Sequence, residues 1–241
     1  MRTLLIVFVI GLGTLLSAGC TRQEQPQPVA KEARQAGETQ AVEAEAPLLE
    51  TPAPLRALGV YLDGLHFRNG RIGEQMDVHH YCGALNEDLI QCVLFDGSGR
   101  DAHMVGVEYV VSAKLFESLP AEEKAMWHSH RYEVKSGQLV APGMPDPAEH
   151  ELMEKLISTY GKTWHTWADD PSLPLGAPAL MMGFTADGQA KPELVENRDK
   201  ALGISSAAKK AARADIPDTP ILPGADAWQS GNVVQVKLGK E

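Results

Sequence analysis

Eight histidines and three cysteines carry most of the chemistry that this sequence could perform. Trp127-His128-Ser129-His130-Arg131-Tyr132-Glu133-Val134-Lys135-Ser136-Gly137 packs two of the histidines into eleven residues and reads as a β-strand running into a turn. Strand alternation would put His128, His130, Tyr132 and Val134 on one face, and Ser129, Arg131, Glu133 and Lys135 on the other. Two imidazoles on one face supply half of a tetrahedral metal site, so further ligands must come from elsewhere. His80, in His79-His80-Tyr81-Cys82, and His165, in Lys162-Thr163-Trp164-His165-Thr166-Trp167, can supply them. The candidate metal ligands are therefore His80, His128, His130 and His165, for zinc or another transition ion. Glu108 or Glu133 would act as base in a metal-dependent enzyme. Alternation sets Glu133 opposite His130, which counts against it unless a bulge intervenes.

The cysteines offer a competing chemistry. Met76 to Phe95 reads as a β-hairpin with Asn86-Glu87-Asp88 as its loop, so Leu85 faces Leu89. Counting back two-for-two then brings Cys82 opposite Cys92. Directly opposed Cβ atoms lie about 4.5–5.5 Å apart, close enough for modest adjustment to reach disulfide geometry. Alternation places His80 with Cys82, so the same thiols could join the histidines around zinc instead. With no Cys-x-x-Cys spacing, the disulfide is the simpler use.

The elements that must position these residues follow from periodicity. Leu55, Leu58, Leu62 and Leu65 recur at helical spacing after Pro54, with Gly64 as terminator. His66-Phe67-Arg68-Asn69-Gly70 reads as an extended piece entering an Asn-Gly turn. Val105, Val107, Tyr109 and Val111 alternate as a central strand and leave Glu108 on the other face with Met104 and Val110. A carboxylate there is edge-exposed or paired. Ser112 caps a short helix through Phe116, and Pro120 with Glu122 and Glu123 opens another. Asp146-Pro147-Ala148-Glu149 starts a helix as N-cap, first-turn proline and capping-box glutamate. Leu152, Leu156 and Tyr160 form its buried stripe with Met153 and Ile157, and Gly161 ends it. His150-Glu151-Leu152-Met153-Glu154 lacks the second histidine of a zinc-protease helix, so His150, Glu151 and Glu154 read as surface residues beside that stripe. Trp164 and Trp167 read as core and rim packing. Ala179 to Phe184 is a buried strand. Glu193 to Leu202 and Ser206 to Ala214 read as helices, with Lys209, Lys210 and Arg213 solvating the second. Asn232 to Val236 is a possible edge strand.

Composition bounds the rest. Among 241 residues, 32 are acidic and 22 basic, giving a net charge of -10 that opposes binding to nucleic acid. Arg2, the apolar run Leu4 to Leu16 and then Ser17-Ala18-Gly19-Cys20 have the layout of a secretory signal too short to span a membrane. Leu16-Ser17-Ala18-Gly19-Cys20 resembles a bacterial lipobox, whose cysteine becomes the acylated first residue. Thr21 in place of Asp then implies a lipid-anchored, periplasm-facing outer-membrane location. From Thr21 to Pro54 the chain is rich in Gln, Glu, Ala and Pro and reads as a disordered tether reaching roughly 30 Å. The expected organisation is a signal peptide over 1–19, lipidated Cys20 and linker over 20–54, and one globular domain over 55–241. Its fold class is α+β, with a mainly antiparallel sheet and helices packed on it.

Several motifs in order carry a family likeness. His79-His80-Tyr81-Cys82, Gly106-Val107-Glu108-Tyr109-Val110-Val111-Ser112, Leu119-Pro120, Trp127-His128-Ser129-His130, Tyr132-Glu133-Val134-Lys135-Ser136-Gly137, Tyr160-Gly161-Lys162 and Leu173-Pro174-Leu175-Gly176 resemble the oil body-associated protein family, from about Leu55 to Trp228. The resemblance implies a domain without assigned activity, linked in plants to lipid-droplet surfaces and found in bacteria on lipoproteins. Because intracellular members live among reduced thiols, a Cys82–Cys92 bond would not be a family-wide requirement. The expected function is a membrane-anchored, non-enzymatic domain that binds a lipid or envelope protein partner. The alternative is a histidine-ligated periplasmic enzyme such as a hydrolase.

Overall fold

The computed structural model describes residues 53–166 and 175–236. The apolar leader, Cys20, the tether up to residue 52 and Trp167 lie outside the described residues. A short helix α1 (Ala53–Arg56) leads into strands β1 (Val60–Arg68), β2 (Arg71–Asn86), β3 (Leu89–Phe95) and β4 (Met104–Val111). Helices α2 (Ala113–Glu117) and α3 (Ala121–Lys124) follow, then β5 (His128–Ser129), α4 (Arg131–Ser136), α5 (Asp146–Leu156), β6 (Tyr160–His165), β7 (Ala179–Gly183), α6 (Pro192–Leu202) and α7 (Ser206–Ala212).

The strands run in the order β4-β3-β2-β1-β7-β6-β5, and β4 also pairs with β6. That extra pairing closes six antiparallel strands into a barrel, with β5 attached to the free stretch of β6. Closure satisfies the backbone along both would-be edges. The α+β class with a mainly antiparallel sheet matches this architecture. The closed barrel is additional, because the β4–β6 pairing joins strands that are distant in sequence.

Several local expectations give way to tertiary pairing. The leucine spacing after Pro54 does not make a long helix: α1 stops at Arg56, and Leu62 and Leu65 lie in β1, buried on its two opposite faces. A strand covered on both sides reads as a continuous apolar run, which mimics helical spacing. In the β2–β3 hairpin Asn86, not Leu85, pairs with Leu89, because a bulge falls between Ala84 and Asn86. Below the bulge Cys82 pairs with Cys92, and their sulfurs are bonded.

The stretch from Trp127 to Gly137 is the main correction. Only His128 and Ser129 are strand, paired to Gly161 and Tyr160. The chain then turns into α4, which ends at Gly137 in the left-handed region at φ 76°. Helix α5 begins after Pro145 with no side-chain cap. Glu149 instead accepts from the Ala141 N–H at 3.0 Å, and Tyr160 and Gly161 belong to β6. Arg213, expected to be solvated, is 2% exposed. Residues 232–236 form no strand, although the Gln235 amide bonds both backbone groups of Leu180 as a strand would.

The barrel carries apolar layers on both sides of its wall. Leu62, Val78, Cys82, Cys92 and Leu94 meet Leu139, Met153 and Leu156 at one end. Leu65, Phe67, Leu180, Met182 and Phe184 pack outward, with Trp228 edge-on to the Phe67 ring at 4.8 Å. At about 25 cal/mol per Å² of apolar surface buried, each such side chain contributes roughly 1.5–3 kcal/mol to holding the wall in place.

Candidate metal centre

The inner wall brings together His66 from β1, His80 from β2, Glu108 from β4, His128 from β5, His130 from the β5–α4 junction, Glu133 from α4 and His165 from β6. All seven are at most 5% exposed. Alternation delivers the strand members. His80 shares its face with Cys82, and Glu108 points inward while Val107 and Tyr109 are exposed outside. The switch from strand to helix after His130 delivers Glu133, because a helical residue three positions on returns to the same side. The face assigned to Glu133 by strand alternation is therefore wrong, for the physical reason that after one last backbone bond, from the His130 N–H to the Thr159 carbonyl, the chain turns into α4.

Glu108 is the hub. Its Oε2 lies 2.9 Å from His80 Nε2 and 3.9 Å from His66 Nε2. Its Oε1 lies 3.2 Å from His130 Nε2 and 3.6 Å from His128 Nε2. Glu133 Oε2 stands 3.8 Å from His128 Nε2. His165 completes the ring of imidazoles, its centroid 6.0 Å from that of His66. Glycines make the space: a Cβ at Gly161 would overlap Glu108 Oε1, and one at Gly183 would stand 2.7 Å from Glu133 Cδ.

Hydrogen bonding decides what the imidazoles can do. His80 Nδ1 lies 3.0 Å from the Val78 carbonyl, which only accepts, so Nδ1 carries the proton. Thr159 Oγ1 donates to the Leu156 carbonyl at 2.7 Å and so accepts from His130 Nδ1 at 2.8 Å. Nε2 of each ring then faces a Glu108 oxygen, at 2.9 Å for His80 and 3.2 Å for His130. A cation, proton or metal, belongs between each pair. Nδ1 tied to a carbonyl or hydroxyl with Nε2 turned inward is also how metal-binding histidines are oriented by outer groups. Further polar atoms have no hydrogen-bond partner, among them both nitrogens of His128, His66 Nδ1, His165 Nε2 and Glu133 Oε2. Buried polar groups are ordinarily paired, so these unpartnered atoms make the centre a candidate ligand site.

Electrostatics agrees. Burial pushes His66 well below the ordinary imidazole range, His128 down to about 3 and His165 down to about 4. These rings stay neutral and available as ligands. For Glu108, burial is the largest influence and acts upward, yet hydrogen bonds from His130 and His80 bring the carboxyl well below its usual value. Burial, and then the nearby Glu108 charge, hold Glu133 well above it. His66–Glu108–His128 and His128–His130–Glu133 each gather donor atoms within 4.8 Å. A cavity of about 20 Å³ lies among His66, His80, Glu108, His130 and Glu133. That is room for about one water molecule or an ion.

All four histidines predicted as ligands thus lie in this centre, with Glu108 and Glu133. The cysteines do not join them as free thiols, since they are bonded to each other. His66 was missed. Its one sequence signal is position, two residues beyond Gly64 on the same strand face.

A closed antiparallel barrel lined by imidazoles and carboxylates defines a small barrel protein with a buried histidine–glutamate centre. The family described as "Protein of unknown function (DUF1264)" matches residues 52–217, and the chain belongs to that family. It is 41% identical over 189 residues to oil body-associated protein 1A of Zea mays, covering 77% of this chain and 79% of that protein. It is 36% identical over 203 residues to oil body-associated protein 1B of Arabidopsis thaliana, covering 83% and 84%. No solved structure matches the chain.

Proposed function

We propose that this chain is a lipid-anchored envelope lipoprotein whose barrel holds a divalent transition-metal ion without turning over a substrate. The observation that carries the metal is the pair of inward Nε2 atoms, on His80 and His130, facing the buried Glu108 carboxylate. Imidazole and carboxylate donors suit zinc and its neighbours in the first transition row. The small cavity favours holding an ion over accommodating a substrate beside it.

The lipid setting rests on the Leu16 to Cys20 pattern and on the relatives, whose names say that they are oil body-associated. An apolar groove of about 340 Å³, lined by Leu55, Leu58, Tyr81, Val93 and Phe95, opens beside α1, where the tether enters. Acyl chains on Cys20 would hold the domain at the membrane, each buried methylene adding about 0.8 kcal/mol. Labelled palmitate should attach to the chain and fail to attach to Cys20→Ala.

Elemental analysis of the untagged full-length chain tests the metal. A stoichiometric ion that is lost in His128→Ala supports the reading. A folded chain that binds neither zinc, cobalt nor manganese overturns it. A second reading, a metal-dependent hydrolase, is favoured by Glu133, a carboxyl raised well above its ordinary range by burial and set 3.8 Å from His128, the direction that a general acid requires. Ester or phosphoester hydrolysis that appears with metal and vanishes on chelation would select it.

A further inference from the structure

We propose that a single ion, held by Glu108, His128, His130 and Glu133, is a structural clip that fastens the short β5–α4 segment to the barrel strand β4. The proposal rests on the metal-holding reading and adds the ligand set and the task of the ion.

Three of the four donors come from six consecutive residues. Strand β5 is two residues long and α4 six, so His128, His130 and Glu133 sit on a segment with little regular pairing of its own. One donor atom from each lies within 4.8 Å of the other two. The fourth comes from β4. Glu108 Oε1 stands 3.2 Å from His130 Nε2 and 3.6 Å from His128 Nε2, and Glu133 Oε2 stands 3.8 Å from His128 Nε2. Donors bound to a tetrahedral ion at about 2.0–2.2 Å are about 3.3–3.6 Å apart, so small side-chain shifts close the set. Both His128 Nε2 and Glu133 Oε2 are buried without a hydrogen-bond partner.

Strand β6 lies between β4 and β5, with Gly161 paired to Val110 on one side and to His128 on the other. A Cβ at Gly161 would overlap Glu108 Oε1 and stand 2.7 Å from His128 Nε2. The bare glycine lets side chains from both flanking strands meet over β6, and an ion there ties the three together. Charge selects this set over its rival. His66 also comes within reach of Glu108 and His128, but that triad would bring one carboxylate to a divalent ion and bury a net charge. Glu108 and Glu133 together neutralise it. His66 and His80 face the other oxygen, Oε2, at 3.9 and 2.9 Å, where a hydrogen bond from His80 suffices to orient the carboxylate from behind. The cavity of about 20 Å³ has room for one ion, and four protein donors leave it no open position, the arrangement of a structural site.

Calorimetric titration of the metal-stripped full-length chain with Zn²⁺ tests the proposal. One equivalent is expected, weakened about tenfold or more in His130→Ala and in Glu133→Gln and little changed in His66→Asn and His165→Asn. A loss in His66→Asn as large as in His130→Ala would overturn the ligand set and leave the metal-holding reading standing, and no binding by the parent chain would overturn both. The parent chain loaded with Co²⁺ should show the intense visible absorption of a four-coordinate ion. The weak absorption of a six-coordinate ion would overturn the closed set without recourse to any variant. Hydrogen exchange reads the clip: Zn²⁺ should slow the amides of residues 128–136 far more than those of β1 and β2, and equal slowing throughout would overturn it.

Discussion

Beneath α6 and α7 the Arg198 guanidinium donates to Asp63 at 2.7 Å, to the Gln138 carbonyl at 2.8 Å and to Ser206 Oγ at 2.9 Å. Arg213 likewise donates to the Val134 and Leu139 carbonyls and to Glu149, which also pairs with Lys209. Inside the barrel, a few strand positions away, the same low exposure surrounds histidines and a glutamate with unpartnered atoms. Both regions bury ionisable groups, and each had to overcome their desolvation. The arginine network bonds its guanidinium donors within the chain and ties helices to barrel, leaving Asp63 Oδ2 and Gln138 Oε1 without a hydrogen-bond partner. The histidine centre leaves its bonds open toward a common point. Asp63, Asp77 and His79 also form a cluster that could hold a metal, but there Arg198 already supplies the cation that in the barrel would be metal.

The comparison can be broken most strongly on its structural side. Arg198→Ala strands the fully buried Asp63 carboxylate, and removing one partner of such a pair costs about 3–5 kcal/mol. Urea denaturation of the metal-free chain should show that loss, while ion affinity in the fraction that remains folded should match the parent. A stability change under 1 kcal/mol would show that the network does not hold the fold together. On the other side, Gly183→Ala drives a methyl into Glu133 and should cost about 1–3 kcal/mol as overpacking, while weakening metal binding at least tenfold. Calorimetric titration checks the second effect. Unchanged affinity would detach Glu133 from the ion.

How far each region was legible follows from what sets it. The Cys82–Cys92 register needed only a hairpin and parity, and it was readable even though the bulge at Leu85 altered the turn. The ligand histidines were readable by type, and His80 by face, because a regular strand carries it. Glu133 was misplaced because β5 ends where its partner does, a tertiary event that strand alternation cannot express. His66 and Glu108 became central through barrel closure by the β4–β6 pairing, which leaves no local mark. Arg198 and Arg213 were the least legible. A cation on a helix reads as solvated until Asp63 and Glu149 are brought over it.

The smallest expected effect is the response of the metal-free chain to acid, and its sign separates the two regions. His66, His128 and His165, and also His79, have folded values depressed by burial. Between pH 5 and 6 the unfolded chain binds protons that these rings refuse, so their contribution to stability falls as pH falls. Burial, and for Asp63 the charge of Asp77 as well, pushes Asp63 up to about 7 and raises Glu133 and Asp226. Folded values raised in this way make the contribution of those carboxyls run the other way. Glu108, depressed below its ordinary value, is ionised in both states across this window and adds nothing. The two sets oppose each other, and the sign of the net slope between pH 6 and pH 5 shows which one dominates. Guanidinium denaturation at pH 6 and pH 5 measures it. A gain in stability on acidification would mean that the carboxyls, with Asp63 of the arginine network among them, govern the response, whereas a loss assigns it to the imidazoles.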